Sequence, residues 1–80
     1  MASASTIAFG QVLRRRRRAA GLSQEALAER ADVSRNFVSL LERGRHSPSL
    51  DMLVALAAVF ACTPSTLVQE VQDALEERKR

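Results

Sequence analysis

The sequence predicts a small all-α domain of five short helices. Three observations carry this expectation. Capping and stop residues recur at short intervals, and apolar residues repeat at helical spacing between them. No alternating run and no hairpin dipeptide points to a strand. At 80 residues the chain has room for one domain, near the lower limit of what an unstapled core stabilises. Apolar residues make up 46% of it, enough for a globular fold and too many for a disordered chain.

The elements follow in order. Residues 1–5 are small and polar and are expected to be a disordered lead-in to a single domain over 6–78. Ser5 or Thr6 can cap a first helix over about 6–20, and Gly21 is a natural left-handed stop. Ser23 opens a short second helix, 23–30, followed by a tight connection at Asp32-Val33. Ser34 caps a third helix, 34–43, which Gly44 ends. After a loop through Pro48, Ser49 caps a fourth helix over 50–61. Thr63-Pro64 then opens a fifth over 64–78. Phe9 and Leu13 give the first helix its buried stripe; Leu27, Ala28 and Ala31 do so in the second, and Phe37, Val38 and Leu41 in the third. Leu53, Leu56, Ala57 and Phe60 make the fourth apolar nearly all round, which marks it as the central buried helix. Leu67, Val68, Val71 and Leu75 continue the pattern.

The stretch from Gly21 to Gly44 is the informative one. Two short helices joined by so tight a connection cannot lie antiparallel, and they cross steeply, as in a helix-turn-helix. With Val38 and Leu41 anchoring the third helix, its other face carries Arg35, Asn36 and Ser39 near the N-terminus. That end suits the DNA major groove, where side chains reach base edges.

Gly-Leu-Ser-Gln-Glu-x-Leu-Ala (Gly21–Ala28), Val-Ser-Arg (Val33–Arg35), Glu-Arg-Gly (Glu42–Gly44) and Pro-Ser-Leu (Pro48–Leu50) occur in this order. With these motifs the chain resembles the Xre family, the group that includes the phage lambda repressor and Cro type of DNA-binding domain. The resemblance covers roughly residues 7–68. It implies a compact five-helix lambda-repressor-like domain, with the second helix positioning and the third reading DNA. It also implies roles. Gln24 sits where the family has a glutamine on a backbone phosphate, bracing the residue that opens the recognition helix. Arg35 and Asn36 hold the principal base-contact positions, with guanine O6 and N7 suited to Arg35 and adenine or a phosphate to Asn36. Arg43 and Arg45 follow the recognition helix, where the family grips phosphate. Glu42 is structural, paired with Arg17 of the first helix. Ser39 can touch a base or a phosphate, and Ser34 is a further phosphate candidate. Phe37 has two open placements, in the core or against a thymine methyl.

The run Arg14–Arg18 cannot face DNA as a whole, since successive helical residues turn by about 100°. Arg14 and Arg18, at i and i+4, are the expected phosphate neighbours. Arg16 departs from the family, which has an apolar residue there. Arg15 and Arg16 are expected on a solvated face. Residues 1–62 carry nine Arg against five Asp or Glu, and residues 63–80 three bases against four acids, giving the overall +3. A positive body suits a polyanion, although a basic solvated surface explains the charge equally simply.

Other chemistry finds no support. His46 is the only histidine and Cys62 the only cysteine, so neither a disulfide nor a Cys/His metal site is expected, and Cys62 reads as a small core residue. With no nucleophile–base pair and no Gly-rich phosphate loop, neither an enzyme nor a cofactor is expected. No run approaches the roughly 18 apolar residues of a membrane span, and no secretory signal is visible, which suits the cytoplasm. The expectation is a homodimeric transcriptional regulator on a palindromic operator, its dimer surface on the fifth helix at Leu67, Val71 and Leu75, aided by exposed parts of the fourth. Arg35-Asn36-Phe37 and the chain length are also similar to controller proteins of restriction–modification systems. The rival from another class is an antitoxin-type module whose main partner is a toxin; RNA polymerase is another conceivable protein partner.

Overall fold

The computed structural model describes residues 3–79, and among these it contains α1 (Ala4–Ala19), α2 (Gln24–Ala31), α3 (Arg35–Glu42), α4 (Leu50–Val59) and α5 (Pro64–Arg78), with no strand. Each helix begins on a hydroxyl. Ser3, Ser23, Ser34, Ser49 and Thr63 each accept the backbone N–H three residues on, satisfying one of the donors a helix start leaves unpaired. The first cap corrects an expectation. Ser3, not Ser5 or Thr6, takes the N–H of Thr6 at 3.1 Å, so Ala4 and Ser5 are helical rather than disordered. Thr6 Oγ1 lies 2.9 Å from Ser47 Oγ, which ties this first turn to the α3–α4 loop. Met1 and Ala2 lie outside the described residues.

The first four helices all stop in one way. A residue turns left-handed, and the N–H after it bonds back five residues. The pairs are Leu22 to Arg17, Val33 to Ala28, Arg45 to Leu40 and Cys62 to Ala57, at 2.9–3.1 Å. Glycine takes the left-handed position at 21 and 44, while Asp32 and Ala61 take it at φ 59° and 54°. Asp adopts this conformation readily; alanine does so against a steric penalty. Because Ala61 closes the turn, α4 ends at Val59, two residues short of the expected end.

The core is organised by α1, which packs on both α3 and α5 and buries Ala8, Phe9, Gly10, Val12 and Leu13. Leu27, Val38, Leu41, Leu56 and Leu67 close around it. The approach to α3 is close. A Cβ on Gly10 would stand 2.5 Å from the Leu41 carbonyl oxygen and 2.7 Å from that of Glu42. Helix α4 is not the central helix its composition predicts: Leu56 and Ala57 are buried, while Leu50 and Val54 are 74% and 53% exposed. An apolar circumference measures how much surface a helix offers for burial, and here α2 and α5 cover only one side. No single helix among the described residues is long and apolar enough to cross a membrane.

Candidate nucleic-acid interface

Three residues, Asp32 to Ser34, join α2 to α3. The left-handed Asp32 turns the chain, Val33 packs against the core, and Ala28 is small enough to be buried where the helices meet. Val38 and Leu41 are fully buried on the underside of α3. Helical geometry then sends Arg35 and Asn36 outward, and both are exposed. Ser39, one turn beyond Arg35, is half-buried. The Ser34 hydroxyl accepts the Phe37 N–H at 3.1 Å, which leaves its own proton free to donate. Phe37 is half-buried against the core, with its ring edge-on to His46 at a centroid distance of 4.9 Å. Nothing in the sequence pairs His46 with Phe37. The turn at Gly44 brings the loop back to the start of α3, and no fixed spacing announces such a return.

Behind this surface lies a carboxylate of α3 held from two other helices, α1 and α2. The Glu42 side chain is fully buried. Arg17 donates to it from Nε at 2.6 Å and from Nη2 at 3.0 Å. Arg14 Nε donates at 3.3 Å and Gln24 Nε2 at 3.1 Å. Arg17 also donates to the Leu22 carbonyl at 2.9 Å. Burial alone would raise the Glu42 pKa; the Arg17 and Gln24 hydrogen bonds, the Arg17 charge and the Arg14 bond outweigh it and hold the carboxyl below its ordinary value. Two of the candidate phosphate contacts are engaged in this cluster. Gln24 has one amide proton committed to Glu42 and one left for a phosphate. Arg14 commits its Nε to this cluster, while 44% of its side chain stays exposed.

The arginine run divides by helical angle. Arg14 and Arg17 face α3, while Arg16 turns to α5. Arg16 Nε donates to both oxygens of Glu70 at 3.1 Å, and Nη2 joins it on Oε2. Arg15 adds a longer contact at 3.8 Å. Arg15 keeps the solvated face expected of it, with 61% of its side chain exposed, whereas Arg16 leaves that face for an ion pair whose hydrogen bond holds the Glu70 carboxyl low. Glu70 was invisible in sequence, because a carboxylate 54 residues away has no spacing rule. Arg18 is exposed and, among the described residues, takes part in no ion pair.

Arg43 and Arg45 are exposed at the end of α3 and line an open cavity with Ser3, Thr6, His46 and Ser47. Arg43 Nε bonds the Ser39 carbonyl at 3.4 Å. On α5, Leu67 is 1% exposed and belongs to the core, so it cannot form the outer surface expected of it. Val71 and Leu75 are half-buried against the same core. The exposed apolar residues nearby are Leu50, Val54 and Val68.

Comparison with known proteins accords with this architecture. A family described as a helix-turn-helix domain matches residues 8–70. Over 61 residues the chain is 38% identical to the immunity repressor protein of Bacillus phage phi105, taking in 76% of this chain and 42% of that protein. The restriction–modification controller protein C.AhdI of Aeromonas hydrophila is 40% identical with a TM-score of 0.78, over 81% of this chain and 98% of the other. The clp gene regulator ClgR of Corynebacterium glutamicum superposes with a TM-score of 0.88 at 27% identity, covering 94% and 80%. The chain spans 42–57% of the length of the curated relatives it matches. With the match over most of its length, and with two short helices crossing at Asp32–Ser34 inside a five-helix lambda-repressor-like bundle, the chain belongs to the helix-turn-helix domain family, in its Xre-like form.

Proposed function

We propose that this protein is a cytoplasmic transcriptional regulator that binds double-stranded DNA as a dimer, with α3 in the major groove of each half of a palindromic operator. The reading rests on one observation: Arg35 and Asn36 stand exposed on the first turn of a helix whose other face is locked into the core. Arg35 reads guanine and Asn36 reads adenine or holds a phosphate; Ser39 and the rim of Phe37 complete the base-facing set. Ser34, the free proton of Gln24, Arg18, Arg43 and Arg45 hold the backbone. One domain reads too few base pairs for useful discrimination, so two copies are needed, with recognition helices about 34 Å apart. Leu50 and Val54, one turn apart on α4, and Val68 on α5 supply an apolar face for the second copy. The similarity to C.AhdI over 98% of its length favours a controller-type regulator.

Selection of bound sequences from a random duplex pool tests this. A two-fold symmetric site should emerge, and Arg35→Ala should lose discrimination at one base position in each half by about 1–3 kcal/mol. With 6–10 phosphates contacted, affinity should fall by roughly 10³–10⁵ between 50 and 200 mM salt. Val54→Glu should leave a folded monomer in sedimentation. No enriched sequence together with a flat salt dependence would sink the reading.

A further inference from the structure

The notch between α2 and the start of α3 holds charges that the groove contacts above do not use. Glu25 and Glu29, one turn apart on α2, line an open crevice together with Ala28, Val33 and Arg35. All three charged groups are exposed. Among the described residues, none of them takes part in an ion pair within 4.0 Å. Glu25 has a use within the fold, since it lies in the first turn of α2, where the helix dipole favours an anion. Glu29 has no such use. It sits in the last turn of α2, where the same dipole disfavours it.

A duplex offers an arginine a phosphate at every step and the right guanine at very few. An unguarded Arg35 would therefore add affinity for every sequence alike. Building on the DNA-binding reading, we propose that Glu25 and Glu29 are specificity-determining residues that hold Arg35 off the phosphate backbone and release its outer edge only to guanine. The guanidinium has five N–H donors in a planar fork. Guanine O6 and N7 take two of them, which leaves others for a carboxylate, so the correct base and the glutamates can be satisfied together. A phosphate drawn to Arg35 is instead brought against two anions. The carboxylates thus penalise the wrong contact more than they weaken the right one.

The test uses the full chain with Glu25→Gln and Glu29→Gln together. Binding is followed by fluorescence anisotropy on the selected operator and on a scrambled duplex of equal length, across a salt series. Affinity for the scrambled duplex should rise about tenfold and that for the operator less than about threefold. The salt slope on the scrambled duplex should steepen by about 0.9 per protomer, as Arg35 neutralises one further phosphate. Adding Arg35→Ala should abolish both gains. Glu76→Gln with Glu77→Gln on α5, which makes the same change in net charge, should leave the ratio of the two affinities unaltered. Equal gains on both duplexes, or gains that survive without Arg35, would overturn the inference and leave the glutamates as a general negative field. Wild-type protein that binds neither duplex would overturn the functional reading itself.

Discussion

Glu42 and Glu70 are both carboxylates that hold arginines of α1, yet they are built to different standards. The Glu42 side chain is fully buried and takes hydrogen bonds from Arg14, Arg17 and Gln24, drawn from α1 and α2. Glu70 keeps 22% of its side chain exposed, and its hydrogen bonds come from Arg16 alone. A buried carboxylate without partners is costly, so nature's arrangement at Glu42 has to be complete. An exposed one can fall back on water. The difference teaches where the fold is brittle: at the end of α3, and not along α5.

The largest effect should follow removal of one partner from the buried cluster. Arg17→Ala leaves Glu42 with its desolvation uncompensated, and a loss of about 3–5 kcal/mol is expected in urea unfolding. A loss below about 1 kcal/mol would mean that Arg14 and Gln24 suffice, and the contrast with Glu70 would collapse. Next comes Gly10→Ala, which adds a methyl where α1 meets the carbonyls of Leu41 and Glu42. Overpacking against backbone should cost about 3 kcal/mol, only partly offset by the roughly 1 kcal/mol gain in helix propensity. The same measurement checks it, with loss of the Arg17–Glu42 geometry visible in a crystal structure.

Acid sharpens the comparison. The folded-state pKa of Glu42 lies below the ordinary 4.5. Its contribution is therefore fully present above that value, and it is lost as pH falls through the lower folded value. Glu70 has the same sign, but solvent screening discounts it. Unfolding free energy measured from pH 7 down to pH 2 should fall less steeply below about pH 4.5 in Glu42→Gln than in the wild type. An unchanged slope would show that other carboxylates carry the acid transition.

How much of this was legible in the sequence depends on the range of the interaction. Local chemistry was readable. Ser23, Ser34, Ser49 and Thr63 cap their helices, and Gly21 and Gly44 stop theirs. The start of α1 is ambiguous in sequence because Ser3, Ser5 and Thr6 are all competent caps; in the fold Ser3 takes the Thr6 N–H, and the Thr6 hydroxyl meets those of Ser3 and Ser47. The end of α4 was misplaced because nothing local marks Ala61 as left-handed. Helical period locates the core but not its coverage, so composition alone predicts a central α4 and an outward Leu67. The candidate interface divides in the same way. Arg35 and Asn36 follow from register on α3, whereas the engagement of Gln24 and Arg14 by Glu42 depends on how closely α1 and α2 approach α3. Gly10, which sets that approach for α1, looks in sequence like an ordinary helix interruption.

The smallest effect is expected at the open cluster. Glu70→Ala removes the partner of Arg16 and the more distant partner of Arg15, but both arginines reach water by small side-chain movements. The ion pair links α1 to α5, whose contact is already secured by the buried Leu67 and Ala74. A loss of about 0.2–1 kcal/mol is therefore expected in urea unfolding at low salt, shrinking further at 1 M salt, where the screening length falls to about 3 Å. Arg16→Ala should match it, and the double variant should cost little more than either alone, since both remove one shared interaction. If Glu70→Ala instead cost as much as Arg17→Ala and resisted salt, burial would not be what separates the two carboxylates, and the α1–α5 contact would depend on its ion pair rather than on its apolar residues.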